Sequence, residues 1–276
     1  MDRVAAANLI HRGIGRVEFF DLPEDRVADL APLLDAFAAE GRPRFSFHSP
    51  VTRTVAFPYS GVTCFYLSDD AGLREQSFIL LDATMAAAKR WGAAYVVSHL
   101  THGPTDSKNR STALRLAAAA CERMAALSRR YGVPLDVEFA AYTDAFHQAE
   151  DFVAAVAEHP ELGLCIDAGH AYLGGLIRER DHLADIACLA PSARSIHLWN
   201  SKGLEHTRQH HHTPLHPSQN PADGWIDIEP IVEIVAGTRA EINVVFEYPV
   251  DDLTPDVQAG YDWVAGILER YQTPDR

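Results

Sequence analysis

Residues 164–170 read Leu-Cys-Ile-Asp-Ala-Gly-His, an apolar run that ends in a carboxylate and then passes through glycine to an imidazole. A short run that is apolar at successive positions, not alternate ones, is how a strand buried on both faces of a parallel sheet reads. The same design recurs on either side. Arg16–Phe20 (RVEFF), Arg44–His48 (RFSFH), Ala94–His99 (AYVVSH), Leu135–Phe139 (LDVEF), Leu164–Asp167 (LCID), Ser195–Trp199 (SIHLW) and Asn243–Tyr248 (NVVFEY) are short and rich in β-branched or aromatic residues. Helical patterns lie between them at Pro23–Glu40, Leu73–Trp91, Thr112–Tyr131, a segment running to Glu158 with Thr143 or Asp144 as its cap, Arg178–Leu189, Ile228–Val235 and Thr254–Tyr271. Gly92 and Gly132 stand where two of these helices should stop.

Alternating strands and helices predict right-handed crossovers and a parallel sheet, hence an α/β fold of the TIM (β/α) barrel type. Seven strands are clear, and the first strand of a full barrel is missing, because the chain opens with the helix-like Val4–Ile10. An incomplete barrel is therefore expected, with its gap covered by Val4–Gly13 or by a neighbouring subunit. No repeat or Pro/Gly-rich linker divides the chain, so residues 1–276 read as a single domain. Asn200–Gly224 is a long irregular stretch with five histidines, and loops of that length in a compact domain are usually functional.

Composition narrows the function classes. The 276 residues carry 24 Lys+Arg against 38 Asp+Glu, a formal charge of −14, and 47% are apolar. That apolar share supports a substantial core and excludes wholesale disorder. The negative balance argues against nucleic acid and anionic membranes as partners and favours a small-molecule substrate. No apolar run approaches the ~20 residues of a membrane span. The opening MDRVAAANLIHRG lacks the pattern of a secretory signal, so a cytoplasmic location is expected. Cys64, Cys121, Cys165 and Cys188 form no C-x-x-C pair and read as small buried hydrophobes. Nucleophile elbows, phosphate loops and dinucleotide fingerprints are missing from the sequence.

The polar residues that interrupt the apolar strands point to chemistry. His48, His99, Glu138, Asp167, His197 and Glu247 stand at or near the C-terminal ends of six successive strands. In an α/β barrel those ends meet at one mouth, where active sites are built. Converging acids and imidazoles are electrostatically costly without a cation, and mixed His/Asp/Glu ligation suits Zn²⁺, Mn²⁺ or Co²⁺.

These residues also carry a family likeness. Phe47-His48-Ser49-Pro50, Ser98-His99, Val137-Glu138, Ile166-Asp167-Ala168-Gly169-His170, Ile196-His197-Leu198-Trp199-Asn200-Ser201-Lys202, Asp223-Gly224-Trp225-Ile226-Asp227 and Phe246-Glu247 together resemble the xylose-isomerase-like TIM barrels, also called the AP endonuclease family 2 fold. The likeness covers almost the whole chain from Val17 onward. In the sugar isomerase and epimerase branch it implies one metal held by Glu138, Asp167, His197 and Glu247. The two glutamates would shuttle a proton between carbons through an enediolate, and His170 would contact the substrate. In the endonuclease IV branch it implies up to three zinc ions and phosphodiester hydrolysis, with His48 and His99 as further ligands and His170 on the third ion. That branch also uses an Asp-x-His pair in the loop after the sixth clear strand, and this chain departs there, offering His212 and His216 instead. The expected cofactor is thus one to three divalent ions, with isomerase first and hydrolase as the alternative.

Four lesser candidates complete the reading. Lys202 is a candidate for an anionic substrate group and Trp199 for an apolar wall against the substrate. His102 stands as an alternative to His99 in the same loop, and Glu18 is left open at the first clear strand. A homo-oligomer is compatible with the sequence, which fixes no oligomeric state.

Overall fold

The fold is drawn from a computed structural model that describes residues 13–272 apart from 25–26, 41–44, 54–56, 58, 60–62, 141, 240 and 251–252. Seven strands form one parallel sheet in chain order: β1 (Val17–Phe19), β2 (Phe45–His48), β3 (Val96–His99), β4 (Leu135–Glu138), β5 (Leu162–Asp167), β6 (Ala193–Leu198) and β7 (Asn243–Phe246). Helices α1 (Val27–Ala39), α2 (Ala71–Trp91), α3 (Arg110–Tyr131), α4 (Ala149–Ala157), α5 (Ala168–Arg178), α6 (His182–Leu189), α7 (Leu204–His210), α8 (Ile228–Thr238) and α9 (Pro255–Gln272) occupy the crossovers and the C-terminal end. The result is the expected α/β TIM-type architecture, a nearly closed barrel of seven parallel strands.

The barrel stays open between β1 and β7, which share no backbone pairing among the described residues. Side chains bridge the opening instead: Arg16 Nη1 donates to Asn243 Oδ1 at 2.5 Å. The segment expected to cover this gap, Val4–Gly13, lies outside the described residues except for Gly13, and so does Arg44 at the expected start of β2.

Strand alternation sorts the side chains into two populations. Phe45, Phe47, Val96, Leu135, Val137, Leu164, Ile166, Ile196 and Leu198 point outward into the main core beneath the helices. Residues of the other parity face the barrel axis in layers. The mouth layer is His48, His99, Glu138, Asp167 and His197, and Ser46, Val97, Asp136, Cys165 and Ser195 lie one step below. Register levels the mouth, because His99 pairs with Glu138 and Asp167 with His197.

Several helix boundaries differ from the sequence expectation, each for a local reason. Gly92 and Gly132 do stop α2 and α3 in the left-handed conformation, at φ 74° and 66°. The helix expected from Pro23 begins at Val27, since Leu22–Pro23 pairs with Thr52–Arg53 in a short ladder. Neither Thr143 nor Asp144 caps α4, whose cap position is Gln148; the Thr143 hydroxyl is spent on the Phe146 carbonyl at 2.5 Å. The segment expected as a helix from Arg178 begins at His182, and α5 precedes it directly after Asp167. Gly169, Gly174 and Gly175 hide α5 in the sequence by their low helix propensity. The irregular stretch 200–224 contains α7 and a short 3₁₀ turn. No described helix is long and apolar enough to cross a membrane.

Asp136 is the unusual member of the lower layer. Its Oδ2 accepts from Ser195 Oγ at 2.8 Å, while its Oδ1 is buried without a partner. Burial, only partly offset by Ser195 and Arg194, pushes its carboxyl up to about 7. A folded value above the unfolded ~3.9 means that stability is intact at low pH, falls between about pH 4 and 7, and levels above that. Asp136→Asn should therefore unfold like the parent near pH 4 and be more stable by on the order of 2–4 kcal/mol at pH 8. Urea titrations of chelator-treated protein at both pH values check this, and an equal gap at the two would show that Asp136 does not titrate as described.

Candidate metal centre and active site

Each ligand-bearing side chain is fixed by the strand that ends beneath it. Glu138, Asp167, His197 and Glu247 come from four consecutive strands, and one donor atom from each lies within 4.8 Å of all the others. His197 Nδ1 is 3.8 Å from Glu138 Oε2 and 3.4 Å from Glu247 Oε2. Glu138 is the hub: its Oε2 lies 2.6 Å from His48 Nε2 and 3.5 Å from His99 Nε2, and its Oε1 lies 3.3 Å from His170 Nδ1. Glu138, Asp167 and His197 are fully buried, whereas the Glu247 side chain keeps 19% of its surface.

Electrostatics split the two glutamates. Burial would raise Glu138, but the imidazoles of His99 and His197 and the contacts from His170 and His48 outweigh it, holding the carboxyl well below its usual range. Burial also raises Glu247, and there His197 offsets it only partly while Asp167 and Glu138 add repulsion, leaving the group at about 7. His170 goes up to about 9 because Asp167, Glu138 and Glu247 outweigh the opposing effect of burial.

The donor set fits a divalent cation. Nδ1 of His197 and Oε2 of Glu247 are buried with no hydrogen-bond partner although they face one another across the cluster. Such atoms are costly unless something satisfies them, and a cation placed among one imidazole and three carboxylates would do so. A smaller set of His48, His99 and Glu138 also gathers donors within the same 4.8 Å limit, as do Glu138, Cys165 and His197. Burial pushes the Cys165 thiol up, so it remains protonated beneath the cluster.

Asp167 is oriented from two sides. As the cap of α5 it accepts from the His170 amide at 2.5 Å, and Trp199 Nε1 donates to both its oxygens at 3.0 and 2.9 Å. Trp199 is fully buried and stacks on His212 at 4.0 Å with the planes 8° apart. This corrects the sequence reading of Trp199 as a substrate wall: the indole faces Asp167 and the polypeptide. Gly169 is what lets it approach, since a Cβ there would come within 2.1 Å of the indole ring.

The remaining candidates divide. His212 is brought in, with Nδ1 2.9 Å from the Glu247 carbonyl and 3.9 Å from its Oε2. His216 is not, because its Nδ1 pairs with Ser218 Oγ at 2.6 Å in its own turn. Lys202 is exposed and holds its ammonium 4.8 Å from the centre of the Trp225 ring, so neither His216 nor Lys202 joins the cluster. Glu18, left open by the sequence, does join. It accepts from Ser46 Oγ at 2.6 Å and lies 3.0 Å from His197 Nε2, on the side of the ring away from Glu138 and Glu247. Its signal was the carboxylate at the inward parity of a strand.

A profile for the xylose isomerase-like TIM barrel matches residues 11–268. The chain belongs to that family. No curated protein matches it by sequence. Among solved structures, L-ribulose 3-epimerase superposes with a TM-score of 0.66 at 16% identity, covering 95% of this chain and 87% of that one. The IOLI protein with a bound zinc atom gives 0.60 at 12% identity, covering 92% and 86%. A xylose isomerase-like TIM barrel protein from Mycobacterium smegmatis in complex with magnesium gives 0.56 at 15% identity, covering 95% and 87%. At these identities the likeness is one of fold.

Two outcomes test the supporting groups. Glu18→Gln should weaken divalent-metal affinity roughly 10–100-fold, as loss of the carboxylate behind a ligating imidazole generally does. Competition with a chelating dye measures this, and unchanged affinity would show the contact to be idle. Gly169→Ala should lower stability by about 1–3 kcal/mol through overpacking against Trp199, read as a fall in Tm.

Proposed function

We propose that the protein is a divalent-metal-dependent isomerase or epimerase of a sugar, polyol or related small carbonyl compound. The observation that carries this is the placement of Glu138 and Glu247 on the outer two of four consecutive strands, bracketing Asp167 and His197 within one 4.8 Å cluster. Proton transfer next to a carbonyl needs one carboxylate ready to accept and one carboxylic acid ready to give. Opposite shifts on two residues of the same type in the metal-free chain support assigning these roles to Glu138 and Glu247. Glu138 takes the proton from the carbon α to the carbonyl, and Glu247 holds a proton at its carboxyl and returns it to the enediolate. Delivery to the opposite face inverts the centre; delivery to the neighbouring carbon isomerises it. Glu138, Asp167, His197 and Glu247 would hold the cation, which would supply Lewis acidity toward the carbonyl. Glu18 keeps His197 in position, Trp199 and the His170 amide do so for Asp167, and the partly open Glu247 is where substrate meets the cluster.

The epimerase named among the structural neighbours supports this reading. A second reading, a multinuclear zinc phosphodiesterase, is favoured by one specific feature: His48 and His99 on Glu138, which a single-metal isomerase does not require.

Incubation with ketopentoses and ketohexoses in D₂O with added Mn²⁺ should convert one of them with deuterium entering at the altered carbon. Glu138→Gln and Glu247→Gln should each lower that turnover by about 10²–10⁴-fold, and His48→Ala, which removes a partner of Glu138 but not the carboxylate itself, should lower it by less than either. Cleavage of a phosphodiester that is lost in His48→Ala and His99→Ala, with no sugar turned over, would replace the isomerase by the hydrolase.

A further inference from the structure

The geometry points to a second cation site, built from His99, His102 and His170, that takes a nitrogen-preferring divalent transition metal such as zinc. One ring nitrogen from each lies within 4.8 Å of the other two. Ring centres are 4.7 Å apart for His99 and His102, and 5.5 Å apart for both His99–His170 and His102–His170. Donors no farther apart than that share a point at most about 2.8 Å from all three, so contraction of under ~0.8 Å per ring reaches the ~2.0–2.1 Å of a zinc–imidazole bond.

Two independent features support occupancy. First, Nδ1 of His99 and Nδ1 of His102 are buried without a hydrogen-bond partner, and Nδ1 of His170 faces Glu138 Oε1 at 3.3 Å. Histidine rings packed together in a protein interior ordinarily point such atoms at a carbonyl, a hydroxyl or water. Second, the loop that carries His102 is braced. The Thr105 hydroxyl accepts from the His102 amide at 3.1 Å and pairs with the Thr101 hydroxyl at 2.7 Å, so His102 leaves the strand yet is held over it.

The two sites differ in chemistry. Three carboxylates and one imidazole also hold manganese or magnesium, whereas three imidazole nitrogens favour zinc, cobalt or nickel and bind magnesium and manganese poorly. A three-histidine set also leaves a fourth position open for water or substrate. The inference stands on its own donors and does not depend on the isomerase reading.

Equilibrium dialysis of the full chain against zinc and, separately, manganese, with metal per chain read by atomic emission, tests it. Wild-type protein should hold at least one more zinc than manganese. His102→Gln should lose one zinc, through an affinity weakened on the order of 100-fold or more, and keep its manganese, which also certifies that the variant is folded. His48→Gln should retain the zinc that His102→Gln loses. Equal zinc and manganese in the wild type, a full zinc complement in His102→Gln, or a loss confined to His48→Gln would each overturn the proposal, the last by moving the ion to His48, His99 and Glu138.

Discussion

The contact on which the mouth of this barrel depends is the 2.6 Å pairing of His48 with Glu138. A carboxylate with no exposed surface is not tolerated alone, since desolvating an ion costs several kcal/mol even after relaxation. His48 is the nearest of four imidazoles that reach Glu138, the others being His99, His170 and His197. Each of the four stands on a different strand or helix end. Register therefore does more than level the strands: a slip by one residue would turn a donor out into the helix layer and leave Glu138 uncompensated. Polar satisfaction at the centre and strand pairing at the edge specify the same arrangement.

The barrel divides its labour by parity. Outward residues are apolar and supply burial against the helices, while the inward ones are polar or small down two layers. An interior lined by Ser46, Asp136 and Ser195 gives up hydrophobic stabilisation there. In return, Glu18 gains Ser46 as a donor and can support His197 from below. The ligand layer is thus oriented by a polar layer beneath it and by Trp199 and the start of α5 beside it. The apolar layer outside carries the stability that the polar axis does not.

Much of this could be read from the chain, and the limits have physical causes. Strands showed because they are short buried runs rich in β-branched and aromatic residues, and the ligands showed because an imidazole or carboxylate interrupting such a run is conspicuous. Helix α5 did not, because Gly169 serves close packing on Trp199 and Gly175 on the Arg180 carbonyl, at the expense of helix propensity. Trp199 and His212 were legible as residues but not as a stacked pair, since 13 positions separate them and only the fold of the loop joins them. His216 and His212 look alike in sequence; a neighbouring serine captures one and not the other. Glu18 and His102 needed coordinates, one because its partner is 179 residues away and the other because it lies past the strand end.

One residue type shifted in opposite directions is what distinguishes the two ends of this cluster. Glu138 and Glu247 have the same side chain and share His197 as a neighbour. They differ in how many imidazoles reach them and in their access to the mouth: Glu138 is wholly enclosed, while Glu247 keeps 19% of its side chain open and has carboxylates as near neighbours. The enclosed group is therefore the stronger acid and the open one the weaker, the reverse of what burial alone would give. Had the extra histidines clustered on Glu247 instead, the lowered carboxyl would sit at the entrance and the raised one in the interior. The strand positions of His48 and His99 thus fix which of the two carboxyls is held low.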